Sequence, residues 1–173
     1  MCSSDLRRFG INWVGAYSLY TKETLRFLTV FGQTIIGPIV TAILFLLVIS
    51  IAIGNERSDV LGVPFIEFLA PGLIAMQVIQ QAFSHSSSSL LMGKVMGNIV
   101  DLIGAPLSAG EVSLAIIFAA VTRALIISIV SIIIFSLIIE IEIKNYVVFI
   151  LYLFLSSFIM GAAGFIEIGR AHV

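Results

Sequence analysis

The sequence predicts an all-α fold, a polytopic transmembrane helical bundle, and three observations carry that prediction. Of 173 residues, 60% are hydrophobic and only 11% charged, against roughly 25% charged in a soluble domain. Four apolar blocks are each long enough to cross a hydrocarbon core of about 30 Å as a helix. The short polar stretches between them distribute basic residues unequally, as membrane loops do. Such a composition leaves too little polar surface to cover a water-soluble globule. A net charge of −1 also gives no basis for binding a polyanion, so nucleic acid is excluded as a partner and the lipid bilayer is the surrounding phase.

Both ends differ in character from the chain between them. The carboxyl end, Glu167-Ile168-Gly169-Arg170-Ala171-His172-Val173, is a polar tail set directly on an apolar run. In codons it can be written GAG ATC GGA AGA GCA CAC GTC, which reads as a common sequencing adapter. The start, Met1-Cys2-Ser3-Ser4-Asp5-Leu6, fits the complementary strand of the same adapter. The expectation is that residues 1–6 and 167–173 are adapter read-through, with the natural segment running from about Arg7 to Ile166. On that expectation Cys2, the only cysteine, supports no redox argument, and setting aside Asp5, Glu167 and Arg170 leaves eight basic and eight acidic residues.

The first element, 10–27, is expected to be an interfacial amphipathic helix. Trp13, Tyr17, Tyr20, Thr24, Phe27 and Phe31 recur at spacings of four and three, which places five aromatics on one face, with Lys22, Glu23 and Arg26 elsewhere on the wheel. Rings on one side and cations on another favour the headgroup region, although a helix packed on another part of the same protein would show the same wheel.

Span one, 28–54, lies within the charge-free interval Phe27 to Asn55. Gly37-Pro38 is expected to kink or loosen it, which packing within a membrane tolerates, and a gating hinge is the alternative. Span two, 68–92, lies between Glu67 and Lys94, and the run Ser84 to Ser89 makes its far end polar. The stretch 94–107 is too polar to span. Span three, 109–139, is broken only by Arg123, and span four, 146–166, closes the series. The amino-terminal flank carries Arg7, Arg8, Lys22 and Arg26, while the loop Glu56 to Glu67 has one basic and three acidic residues. The excess of basic residues puts the amino terminus in the cytoplasm. Alternation then makes Lys94 to Glu111 an inside loop and Glu140 to Lys144 an outside one.

The inside loop carries an ordered pattern. Met96, Ile99, Val100 and Ile103 fall on one face of a short amphipathic helix that Gly104 and Pro106 would end. Ser108 followed three residues later by Glu111 has the spacing of a capping box that starts span three.

Three stretches together resemble the membrane-spanning subunits of type-two ATP-binding-cassette exporters. They are the aromatic-basic entry helix with Lys22-Glu23 and Arg26, the entry to span two at Phe68-Leu69-Ala70-Pro71-Gly72-Leu73, and the loop Lys94 to Glu111, especially Gly97-Asn98, Asp101-Leu102 and Pro106-Leu107-Ser108. The resemblance covers about Arg8 to Ile166. It implies a cytoplasmic coupling helix between spans two and three that rests on an ATPase, with Lys94, Gly97, Asn98, Asp101, Leu102 and Pro106 as the coupling residues. It also implies six spans where four are visible, a second permease subunit in a homo- or heterodimer, and a multi-pass location in a bacterial or archaeal plasma membrane. The chain holds no G-x-x-x-x-G-K-[ST] loop, so by the resemblance ATP and Mg belong to a partner ATPase subunit and this chain binds no cofactor and is no enzyme itself.

The remaining polar residues carry competing readings. Arg123 sits twelve residues past Glu111, about 18 Å along a helix, and is a pathway or interhelix residue unless it snorkels to the cytoplasmic interface. Glu67 is expected at the outer interface, with a substrate contact as the alternative. His85 and the serines after it, Ser86 to Ser89, invite an intramembrane enzyme reading, weakened by the lack of a G-x-S-x-G elbow and, for metal, of a second ligand at suitable spacing. A membrane assembly scaffold is the third class. Gly161-Ala162-Ala163-Gly164 would permit close helix approach but lacks the G-x-x-x-G spacing of a dimer face.

Overall fold

A computed structural model of the chain describes residues 12–30, 32–53, 62–97, 104–139 and 145–170. Helix α1 (Trp13–Thr29) leads through a π-helical turn (Gly32–Ile36) into α2 (Gly37–Ile53), and α3 (Phe65–Val95), α4 (Ala109–Ile138) and α5 (Tyr146–Arg170) follow. Four helical segments, Gly32–Ala52, α3, α4 and α5, are long and apolar enough to cross a membrane. The fold is a polytopic helical bundle.

Local chemistry sets where each helix begins and ends. Pro38 has no N–H to donate to the turn before it, and the chain answers with the wider π turn, in which the loss of one α-helical hydrogen bond is absorbed. The Gly37-Pro38 step therefore appears as the change from π to α geometry at the foot of α2. Asn145 opens α5 by accepting hydrogen bonds from the N–H groups of Val147 and Val148 at 3.2 and 3.3 Å, the usual office of an N-cap.

Helix α3 runs from Phe65 through the polar run Ser84 to Ser89 as far as Val95, beyond the apolar interval that defines it in the sequence. The serines stay helical because their hydroxyls turn back onto the helix's own carbonyls: Ser86 to Ala82, Ser87 to Phe83 and Ser88 to His85. Met96 is the C-cap of α3, and Ile99, Val100 and Ile103 of the short helix expected after it lie outside the described residues. Gly97 follows at φ +73°, the left-handed conformation that ends helices and that glycine adopts without steric cost. At 31 residues, α3 is about 46 Å long, so about ten of its residues extend beyond a hydrocarbon core of about 30 Å.

Helix α3 is the centre of the bundle, packed against α4 and α5 and more lightly against α2. Ala70, Leu73 and Ile74 meet Ala42 and Leu46 of α2 and Phe135 of α4, while Val78 and Ala82 meet Ala124 and Leu153. The π turn and the foot of α2 lie on α4 through Ile35, Ile39 and Ile127. The outer faces carry exposed Leu44, Leu47, Ile51, Ile129, Ile133 and Leu151, a surface suited to lipid and not to water.

The two glycines of the Gly161–Gly164 stretch serve packing inside the chain. A Cβ at Gly164 would lie 2.6 Å from the carbonyl oxygen of Phe83, and one at Gly161 would lie 3.4 Å from Ser86 Oγ. Backbone-to-backbone approach of α5 to α3 thus depends on Gly164, the small-residue device by which membrane helices gain van der Waals contact. We expect Gly164→Val to lower stability by about 1–3 kcal/mol through overpacking, read as a drop in the thermal midpoint of the full-length protein in detergent. Gly72→Ala, where nothing lies within 4 Å of the new methyl group, leaves the midpoint unchanged or raises it.

Candidate functional site

Two polar constellations sit at the end of the bundle where α1 begins, α3 ends and α4 begins. The first joins α1 to the exit of the loop before α4. Ser108 caps α4 in a capping box, its hydroxyl accepting from the Glu111 N–H at 3.3 Å while Glu111 Oε2 accepts from the Ser108 N–H at 2.7 Å. The other oxygen of the same carboxylate, Oε1, accepts from the backbone N–H of Asn12 at 2.5 Å. Asn12 is itself the N-cap of α1, its Oδ1 accepting from the Gly15 N–H at 3.0 Å, and its Nδ2 donates to the Pro106 carbonyl at 3.3 Å. Gly15 lies so close to this loop that a Cβ there would stand 2.7 Å from Leu107 Cδ2. One carboxylate therefore supplies acceptors at the beginnings of two helices, which is where negative charge is favoured.

The second constellation docks the middle of α1. Its buried stripe is Leu19, Glu23 and Phe27, so Lys22, Glu23 and Arg26, expected away from the aromatic face, are divided. Lys22 is exposed, whereas Glu23 is only 6% exposed. The aromatic face divides as well: Trp13 and Tyr17 are 72% and 70% exposed, and Phe27 is buried, its ring edge-on to His85 at 5.9 Å. The physical reason is pairing. Glu23 Oε2 accepts from Ser89 Oγ of α3 at 2.7 Å and from Arg26 at 2.9 Å, and a carboxylate with such donors tolerates burial that an unpaired one does not. Tyr20 adds a hydroxyl contact to Thr122 of α4 at 2.9 Å.

Arg123 extends from α4 toward α3. Its Nη2 donates to Gln81 Oε1 at 2.8 Å, and its Nη1 lies 3.4 Å from His85 Nδ1. A guanidinium has no acceptor, so Nδ1 must accept and the imidazole proton sits on Nε2. That Nε2 is 4.0 Å from Glu23 Oε2, too far for a hydrogen bond, and it is buried without a partner, as is Arg123 Nε. Arg123 thus joins α4 to α3. Deeper in the bundle, Gln77 donates to the Pro38 carbonyl and accepts from Ser131, both at 2.8 Å, tying α2, α3 and α4 together.

The other residues named from the sequence fall as follows. Lys94, in the last turn of α3, donates to the Ile168 carbonyl of α5 at 2.7 Å. Gly97 terminates α3, and Pro106 meets Asn12. Asn98, Asp101 and Leu102 lie outside the described residues, as does Phe31. Glu67 stands in the first turn of α3, where the helix dipole favours an acidic side chain, and is eighteen residues, about 27 Å of helix, from His85. It does not join Arg123. The hydroxyls of Ser86 to Ser89 donate to carbonyls of α3 and to Glu23, none of them to the His85 ring, so the nucleophile–base contact of a serine hydrolase is missing among the described residues. No group of three His, Cys, Asp or Glu there could hold a metal.

Sequence reasoning missed Asn12, Gln77, Gln81, Ser89 and Thr122 as structural partners. Asn12 carried a signal, an N-cap residue directly before an aromatic helical period. Gln77 and Gln81 did too, as polar side chains in a run otherwise fit for lipid.

The family described as ABC-2 type transporter matches residues 16–169. The inner membrane transport permease YadH of Escherichia coli strain K12 is 29% identical over 155 residues, and the proteins of the same name in Escherichia coli O157:H7 and Shigella flexneri match to the same extent. The alignment covers 90% of this chain, which spans about 60% of the length of these curated relatives. No solved structure matches.

The pairing of Arg123 with Gln81 is measurable. A double-mutant cycle of Arg123→Ala and Gln81→Ala is expected to give a coupling energy of about 0.6–1.7 kcal/mol, the range of interhelical hydrogen bonds in membranes, and additive effects would deny the contact.

Proposed function

The chain belongs to the ABC-2 type transporter family, and from that premise we propose that it is the membrane-embedded permease of a two-component exporter. In this account two permease subunits enclose a substrate pathway, and separate ATPase subunits bind ATP and Mg on the cytoplasmic side. The end of the bundle that gathers Asn12, Gly97, Pro106 and Glu111 faces the cytoplasm, as the basic amino-terminal flank requires under the charge rule for loops. The observation that carries the proposal is the family match across residues 16–169, which takes in α1, all four membrane helices and the loop between α3 and α4.

The coupling role follows from mechanics at that end. The loop 94–107 is fixed at its entry by the end of α3 and at its exit by the Ser108–Glu111 cap, and the exit is hydrogen-bonded to α1 through Asn12. A push delivered to the loop by an ATPase would therefore move the start of α4 and the start of α1 together. Lys94, Gly97, Asn98, Asp101, Leu102 and Pro106 are proposed as the residues that receive it.

Two experiments test this. Full-length protein purified from its native membrane is expected to bring down an ATPase with a phosphate-cradling G-x-x-x-x-G-K-[ST] loop; its absence together with turnover that needs no ATP and is lost on replacing His85 would overturn the transport account. Within the assembled transporter, Asp101→Pro breaks any helix at that position, at about 3 kcal/mol, and is expected to abolish transport while ATP hydrolysis and membrane insertion persist. Unchanged transport by Asp101→Pro would remove the loop from the coupling path.

A further inference from the structure

Between α1, α3 and α4 lies a cavity of about 420 Å³, within the size range of small-molecule sites. Its wall has two kinds of surface. Lys22, Glu23, Arg26, His85 and Arg123 form the polar part, and Leu19, Phe27, Val30, Leu90, Met92 and Ile116 contribute apolar surface.

The charge inventory of the polar part is uneven. Three cations, Lys22, Arg26 and Arg123, face one carboxylate, and that carboxylate is already held by Arg26 and Ser89. The neutral His85 adds no negative charge. Two N–H groups on the wall, His85 Nε2 and Arg123 Nε, are buried without an acceptor, and His85 is 1% exposed. Orphaned buried donors beside an excess of positive charge describe a place built for an anionic acceptor. Its place along α3 is informative as well. The wall residues of α3, from His85 to Gly93, lie in the last third of that helix, at the end next to the loop 94–107, with apolar surface beside them.

We propose that this cavity binds a phosphate group, with the orphaned His85 Nε2–H and the Arg123 guanidinium, through its orphaned Nε–H, as its donors and Lys22 and Arg26 as the cations at its rim. The phosphate can be that of an anionic phospholipid, whose chains the apolar wall would accept, or free phosphate. Bound there, it would bridge α1 to α3 and α4 at the one face of α1 that carries charge inward.

The test uses the full-length protein without nucleotide or ATPase, so its failure leaves the transport account untouched and the reverse also holds. Protein in detergent is titrated with phosphatidylglycerol or with zwitterionic phosphatidylcholine, and bound lipid is counted by native mass spectrometry. We expect one phosphatidylglycerol per chain to be retained and phosphatidylcholine to be lost. Removing the exposed rim cation by Lys22→Gln is expected to weaken phosphatidylglycerol about fivefold, the effect of one cation near an anionic headgroup, and Arg123→Gln by more, with Arg123→Lys restoring part. Competition with millimolar inorganic phosphate separates the sources: displacement of the lipid identifies free phosphate as a ligand of the site, and persistence of the lipid identifies the phospholipid. Equal retention of phosphatidylcholine, or phosphatidylglycerol binding unchanged by Lys22→Gln, overturns the proposal even if Arg123→Gln does not fold.

Discussion

The carboxylate of Glu111 closes the beginnings of two helices at once, and the geometry of the functional end follows from it. A helix start exposes N–H groups that need acceptors. In water such groups are satisfied cheaply, but at a membrane boundary crowded with apolar side chains an internal acceptor is worth more. Glu111 gives one oxygen to Ser108 in its own cap and the other to Asn12 at the head of α1. Asn12 then caps α1 and grips the Pro106 carbonyl. With these bonds in place, the exit of the loop, the start of α4 and the start of α1 form one joint, and Gly15 leaves room for Leu107 inside it.

The same scarcity of solvent governs the interior. Glu23 turns inward because Ser89 and Arg26 receive it, Arg123 reaches Gln81 and His85, and Gln77 spans from the Pro38 carbonyl to Ser131. Each of these polar side chains thus doubles as a cross-link between helices whose apolar faces would pack in several registers. Two nitrogen donors, on His85 and Arg123, stay without acceptors beside the cavity under α1.

How far the sequence could be read depends on the range of each signal. The all-helical class and the four membrane helices rest on composition and on runs of about twenty apolar residues, which need no knowledge of tertiary contacts. The Ser108 to Glu111 spacing is equally local. By contrast, the second role of Glu111 depends on Asn12, 99 residues away, and nothing at either position announces the other. Glu23 shows the same limit: a helical wheel groups it with Lys22 and Arg26, and only Ser89, 66 residues on, turns it inward. Span two was legible through its serine run, to within three residues of the end of α3, and the structure supplies the reason the run stays helical: its hydroxyls bond carbonyls of their own helix and present little polarity to lipid.

The central claim is that α1 and the exit of the loop before α4 move as one joint. Disulfide trapping between Gly15→Cys and Leu107→Cys in the full-length protein in native membranes addresses it most directly, because a Cβ at position 15 would stand 2.7 Å from the tip of the Leu107 side chain, so the two positions face each other across the joint. The account predicts rapid, nearly complete cross-linking under mild oxidation, both with and without nucleotide. Thiols that stay free to alkylation, or a cross-link that forms in only one nucleotide state, would contradict it.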